Sequence, residues 1–172
     1  MKTSPDYSTL PQFYHAYVQH VKDVSLLDAL QSSWQVTQTL IRSIPEDKGM
    51  FRYAPEKWSI KELLCHMMDA ERIFAYRALR FSRGDATPLS GFEENDYAPQ
   101  ANAHARTVQQ LCSEMERLRS TTLDLFTSFT PEMLQRKGAA NNSIISVVNI
   151  GYVIAGHETH HRNVLMERYL KK

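Results

Sequence analysis

The chain has 172 residues, 42% of them hydrophobic, with two cysteines and a formal net charge of +1. That length suits one domain, spanning 1–172, with a core large enough to fold without disulfides. The charge balance, 20 basic against 19 acidic residues, gives no footprint for nucleic acid or an anionic membrane, and so few cysteines suit a reducing cytoplasm.

The opening stretch Met1-Lys2-Thr3-Ser4-Pro5-Asp6 has no apolar run of the kind a secretory signal needs. No segment approaches the roughly 18 apolar residues of a membrane span. Residues 1–22 read as an N-terminal arm with aromatic residues Tyr7, Phe13, Tyr14 and Tyr17, and a short helix over about 11–20. His15 and His20 in this arm read as ordinary surface or partly buried histidines.

A first long helix is predicted over about 25–42. Leu26, Leu27, Leu30, Trp34, Thr37 and Ile41 recur at three- and four-residue steps, Ser25 can cap the start, and Pro45 stops it. The second long helix opens on Ser59-Ile60-Lys61-Glu62, a capping box, with Trp58 and Leu63 at the hydrophobic-staple positions. Its stripe runs Ile60, Leu63, Leu64, Met67, Ala70, Phe74, Ala78 and Phe81, and Gly84 is the expected C′ residue. His66 falls on the edge of that stripe, where periodicity alone makes it a helix-flank histidine.

Residues 84–105 form a long connection containing Phe92, Tyr97 and His104. A link of this length is a surface crossover or a functional lid, and in a bundle it lets consecutive helices run parallel. The third long helix is predicted over about 106–129, with Val108, Leu111, Cys112, Met115, Leu118, Thr122, Leu125 and Phe129 inward. Glu114, Glu116, Arg117 and Arg119 are expected to face solvent. Thr130-Pro131-Glu132 opens a helical turn, and Gly138-Ala139-Ala140-Asn141-Asn142 reads as a turn-rich break.

The fourth helix starts near 143 or 146 and runs to about 169. Val147, Ile150, Val153, Ile154, Val164 and Leu165 define its inward sector, and His157 and His161 fall inside it. His160 lies towards one edge and Glu158 on the opposite flank. Two imidazoles at i, i+4 on a buried face can hold one divalent ion; the alternative is a pair of core histidines bonded to neighbouring hydroxyls or water. Imidazole ligands suit Zn²⁺, Ni²⁺ or Fe²⁺.

The run from His157 to His161 also matches the HExxH pattern of zinc peptidases. Those enzymes usually draw a third ligand from downstream, but the eleven residues after His161 include no histidine and only Glu167 as a carboxylate. A third ligand therefore has to come from upstream, and a peptidase is the minor reading.

Lys57-Trp58-Ser59-Ile60-Lys61-Glu62, His66, Asp69-Ala70-Glu71-Arg72 and Tyr76-Arg77-Ala78-Leu79-Arg80-Phe81 resemble the second helix of DinB-like proteins. Gly156-His157-Glu158, His160-His161 and Glu167-Arg168-Tyr169-Leu170 resemble their fourth, and Leu89-Ser90-Gly91-Phe92 is similar to their linker. The resemblance spans roughly 20–170. It implies an all-α four-helix bundle in up-down-down-up order with a long crossover between helices 2 and 3. It also implies a metal held by His66, His157 and His161, with His160 as an i+3 alternative, and a homodimer. The superfamily includes thiol-dependent S-transferases and isomerases that use bacillithiol or mycothiol.

The expectation is a cytoplasmic metal-dependent enzyme acting on a small-molecule substrate, with a low-molecular-weight thiol as partner, or a hydrolase. Glu158 and Asp69 are candidates for a base or a supporting role, or are plain flank carboxylates. Arg77 meets an anionic substrate group or forms an ion pair. The rival is a non-catalytic bundle with a structural metal or none.

Overall fold

The computed structural model describes residues 4–171, so Met1-Lys2-Thr3, half of the stretch read for a signal, and Lys172 lie outside the described residues. Among the described residues seven α-helices and one hairpin follow in chain order: α1 (His15–Val18), α2 (Leu26–Arg42), α3 (Ile60–Ser82), α4 (Glu94–Gln100), α5 (Val108–Thr127), α6 (Pro131–Gln135), β1 (Lys137–Ala140), β2 (Ser143–Ser146) and α7 (Val147–Val164). The four long helices form a four-helix bundle in up-down-down-up order, in which α2 and α3 each pack on both α5 and α7. No helix among the described residues is long and apolar enough to cross a membrane.

Local chemistry sets the helix ends. At the start of α3, the Ser59 backbone N–H donates to Glu62 Oε2 at 2.7 Å and the Glu62 N–H donates back to Ser59 Oγ at 3.2 Å, the predicted capping box. At its far end Gly84 takes φ +81°, and the N–H groups of Gly84 and Asp85 bond the carbonyls of Phe81 and Arg80, closing a Schellman cap. Helix α5 has its own capping box, Thr107 with Gln110, so it begins at Val108, two residues later than the predicted start at about 106. Beyond α7 the chain winds into a π turn, Leu165–Tyr169.

Two apolar clusters fill the bundle. One gathers Phe74, Ala78 and Phe81 of α3 with Val147 to Ala155 of α7; the other gathers Ile60 to Met68 of α3 with Leu165 and Tyr169. The clusters meet between Met68 and Ala70 of α3 and between Ala155 of α7 and Leu165; His157 and His161 lie within the second of these stretches, and His66 is one residue short of Met67 on α3.

Three expectations are corrected. The break at 138–142 is the tip of an antiparallel hairpin, β1 against β2, turned by Asn141 and Asn142, both left-handed at φ 50° and 57°. Its first strand carries Gly138 because a Cβ there would lie 2.1 Å from the Phe81 ring. The second correction concerns α7, which is buried on every side over 147–159 and not along one stripe. Gly156 permits this, since a Cβ on it would sit 2.3 Å from the Tyr17 carbonyl oxygen, where the N-terminal arm crosses the helix.

Third, Arg119 does not face solvent. It is 1% exposed, donates to Glu71 at 2.9 and 2.8 Å and to the Leu30 carbonyl at 2.7 Å, and forms an ion pair with Glu158. The 84–105 connection is also more ordered than a bare loop. Leu89 pairs with Ala140 of β1, α4 follows, and a 3₁₀ turn covers Ala103–Ala105.

Candidate metal centre

Helix α3 presents His66, Ala70, Phe74 and Arg77 on one face. The steps of four, four and three residues keep all four within one stripe, and all four line a single cavity of about 330 Å³. Helix α7 brings His157 and His161 to the same cavity, one turn apart. The arm adds Phe13, Tyr14 and Tyr17, and the long connection adds Phe92 and Glu94.

The structure brings the three histidines together through one nitrogen each. Nε2 of His66 lies 3.0 Å from Nε2 of His157 and 3.2 Å from Nε2 of His161, and the last two are 3.0 Å apart. Neutral imidazoles cannot satisfy such a triangle. Each Nε2 is either a donor or an acceptor, so at least one edge pairs two lone pairs or two N–H groups. The Nδ1 of His161 is buried and has no hydrogen-bond partner among the described residues, so nothing on the ring's other side relieves the conflict.

A divalent cation would resolve it: His66, His157 and His161 could hold Zn²⁺, Ni²⁺ or Fe²⁺, each Nε2 turning its lone pair to the ion in place of the conflicting contacts.

The surroundings keep the rings in the ligating form. Burial pushes the His66 pKa down to about 4 and holds those of His157 and His161 well below the ordinary value, so all three are neutral near pH 7. Trp58 lies 4.7 Å from the His66 ring, and Tyr17 meets His157 edge-on at 5.3 Å. These aromatic rings pack against the imidazoles and cover part of their faces and edges.

The other candidates go elsewhere. His160 turns its half-buried ring to Tyr17, 5.1 Å away, and is not in the cluster, so the i+3 alternative to His161 is not the one the fold presents. Glu158 is 3% exposed and pairs with Arg119, away from the cavity, so the glutamate of the HExxH pattern is not placed to act on a substrate there. Asp69 pairs with Arg72 outside the cavity. His104 contacts Ser59 and Glu62, and His15 the Leu10 carbonyl.

Arg77 does line the cavity. Asn141, missed from sequence, reaches it at the tip of a hairpin that was read only as a turn. Tyr14, Tyr17 and Phe13 were legible as an aromatic arm, but nothing in their spacing aims them at the histidines.

A family model described as the DinB superfamily matches residues 29–165, a stretch that contains all three clustered histidines. Among solved structures the chain is similar to YfiT from Bacillus subtilis, described as a probable metal-dependent hydrolase with an unusual four-helix bundle topology. The two share 12% identity and a TM-score of 0.71, over 96% of this chain and 91% of that one. At that identity the likeness carries the fold alone. No curated protein sequence matches.

Proposed function

We propose that the chain, which belongs to the DinB superfamily, is a metal-dependent enzyme that activates a small nucleophile, with His66, His157 and His161 holding a divalent ion. The observation that supports this most directly is the meeting of three Nε2 atoms, 3.0 to 3.2 Å apart, on the wall of a cavity of about 330 Å³. Structural ions sit in closed shells, whereas this arrangement has protein ligands on one side and ligand-sized space on the other. Bound there, Zn²⁺, Ni²⁺ or Fe²⁺ would supply a Lewis acid that lowers the pKa of a thiol or water in the cavity.

Transfer of an external thiol to an electrophile is the first reaction reading. Coordination deprotonates a thiol without help, and the two carboxylates beside the histidines in sequence, Asp69 and Glu158, engage arginines instead of the cavity. The thiol is not the chain's own. Cys65 is 1% exposed, burial pushes its pKa up to about 11, and Cys112 is fully buried. A low-molecular-weight thiol therefore enters as a co-substrate, and Trp58, Phe74, Tyr14, Tyr17 and Phe92 supply an apolar wall for the electrophile. Hydrolysis is the second reading. It is the activity that the description of YfiT names for that protein, and for this chain exposed Glu94 on the cavity wall is then the available base. As part of the same proposal the protein is a cytoplasmic homodimer, which light scattering on the purified protein tests for its oligomeric half.

Conjugation of 1-chloro-2,4-dinitrobenzene by the metal-loaded protein, with cysteine, glutathione, bacillithiol and mycothiol offered in turn, tests the first reading. A rate well above that of His157→Ala is expected with at least one thiol. Equal rates for the two proteins with all four would overturn it, and ester or amide hydrolysis assayed in parallel then decides the second.

A further inference from the structure

Arg77 is 4% exposed and lines the cavity, yet no carboxylate among the described residues forms an ion pair with it. Its contacts are a bond from Nη2 to the Ser90 carbonyl at 2.9 Å, a bond to the Tyr14 hydroxyl, and the face of Phe74, with Cζ 5.7 Å from the ring centroid. A buried guanidinium is ordinarily matched by an acid, as Arg119 is matched by Glu71 and Glu158 in this same bundle. The Ser90 and Tyr14 bonds are both to neutral oxygens. They engage two of the five N–H donors a guanidinium carries and neutralise none of its charge. Glu94, the carboxylate on the cavity wall, is exposed and unpaired with Arg77.

The position of the group is as informative as its isolation. Arg77 stacks over Phe74, and the Phe74 ring is 6.4 Å from that of His157. The guanidinium carbon and the His157 ring are therefore at most about 12 Å apart. Between them the wall is Phe74 and Ala70, an aromatic face beside the smallest side chain of the stripe. The cavity thus has a histidine end, an apolar middle and a cationic end.

We propose that Arg77 is the anchor for a carboxylate on the substrate, so that the enzyme acts on small aromatic or aliphatic acids and not on neutral molecules. The acid group takes the open edge of the guanidinium in the paired geometry that carboxylates favour. The apolar body lies along Ala70 and Phe74, and the reacting atom sits at the histidines. One cation with neutral neighbours matches one negative charge, which selects a carboxylate over a phosphate dianion. Tyr14 and the Ser90 carbonyl are positioning groups that hold the fork. The proposal rests on the reading of this cavity as a substrate site, but not on which metal, if any, the histidines hold.

Calorimetric titration of the purified protein with 4-phenylbutanoate and with its neutral counterpart 4-phenylbutanamide tests it, with zinc titrated separately into the same proteins. The acid should bind at least about tenfold tighter than the amide, the factor expected of a charge-assisted pair. That preference should vanish in Arg77→Gln and persist in weakened form in Arg77→Lys, while zinc uptake is unchanged in both. Equal binding of acid and amide, binding of neither, or a preference that survives Arg77→Gln would overturn the proposal. Should Arg77→Gln fail to fold, the wild-type ratio and its value in Arg77→Lys decide. Loss of zinc uptake alone, with the acid preference intact, would count against the metal reading and leave the carboxylate anchor standing.

Discussion

Replacing Arg119 by methionine removes the cation that forms ion pairs with two buried carboxylates. Glu71 and Glu158 are 7% and 3% exposed, and the guanidinium also satisfies the Leu30 carbonyl at 2.7 Å and reaches Ser33 Oγ at 3.3 Å. Breaking a buried ion pair from one side costs about 3–5 kcal/mol, because the partner charge stays behind without compensation. In a chain of this size 1 kcal/mol moves the midpoint by about 2–4 °C, so thermal unfolding followed by circular dichroism at pH 7 should fall by about 6–20 °C. Burial already raises the Glu158 pKa, and loss of its countercharge lifts it further above the unfolded value of about 4.3. A group raised in that way destabilises the fold above its unfolded pKa and ceases to do so as protons bind. The deficit of Arg119→Met should therefore be full at pH 7 and shrink as the pH falls towards about 4.5. Adding Glu71→Leu and Glu158→Leu should recover most of the loss. A midpoint within about 1 °C of wild type at pH 7, or a deficit that grows on acidification, would refute the reasoning.

His66→Ala, His157→Ala and His161→Ala should each weaken zinc binding by more than the 10–100-fold typical of lost outer contacts, read by competition with a chromophoric chelator. His160→Ala should leave zinc binding within about threefold. Ellman's reagent at pH 8 should find Cys65 and Cys112 unreactive until the protein is unfolded, since both are buried and burial raises both pKa values. Gly156→Ala should destabilise by about 1–3 kcal/mol through its clash with the Tyr17 backbone. By displacing the arm it should also weaken binding of the aromatic acid, which thermal unfolding and calorimetry measure on one sample.

The four long helices were legible from their repeating apolar patterns, and the first two also from start signals, since Ser25 and Ser59 cap where they were expected to. His157 and His161 were legible for the same reason, since their spacing and the helix period together place them on one inward face. His66 was not legible that way. Periodicity put it on a flank, and only its likeness to a family motif connected it to the pair, because the convergence of α3 and α7 is a property of packing and not of either segment.

Arg119 and Glu158 failed as a couple. Arg119 reads as one of several charges on a solvent face of its helix and Glu158 as a flank carboxylate of another, yet 39 positions separate them in sequence and neither pattern contains the other. The hairpin was missed because Lys137-Gly138-Ala139-Ala140 has no β-branched residue; its strand character comes from pairing with β2 and from the Phe81 ring beneath Gly138.

The central claim is that three imidazole nitrogens bind one ion and leave a position open to the cavity. X-ray absorption at the metal edge, on the loaded protein with and without dithiothreitol, tests it most directly. Three histidine nitrogens at about 2.0–2.1 Å with an oxygen scatterer beside them are expected, and a sulfur at about 2.3 Å in its place once the thiol is added. A protein that takes up no ion, or a shell of protein ligands that the thiol leaves unchanged, would contradict it.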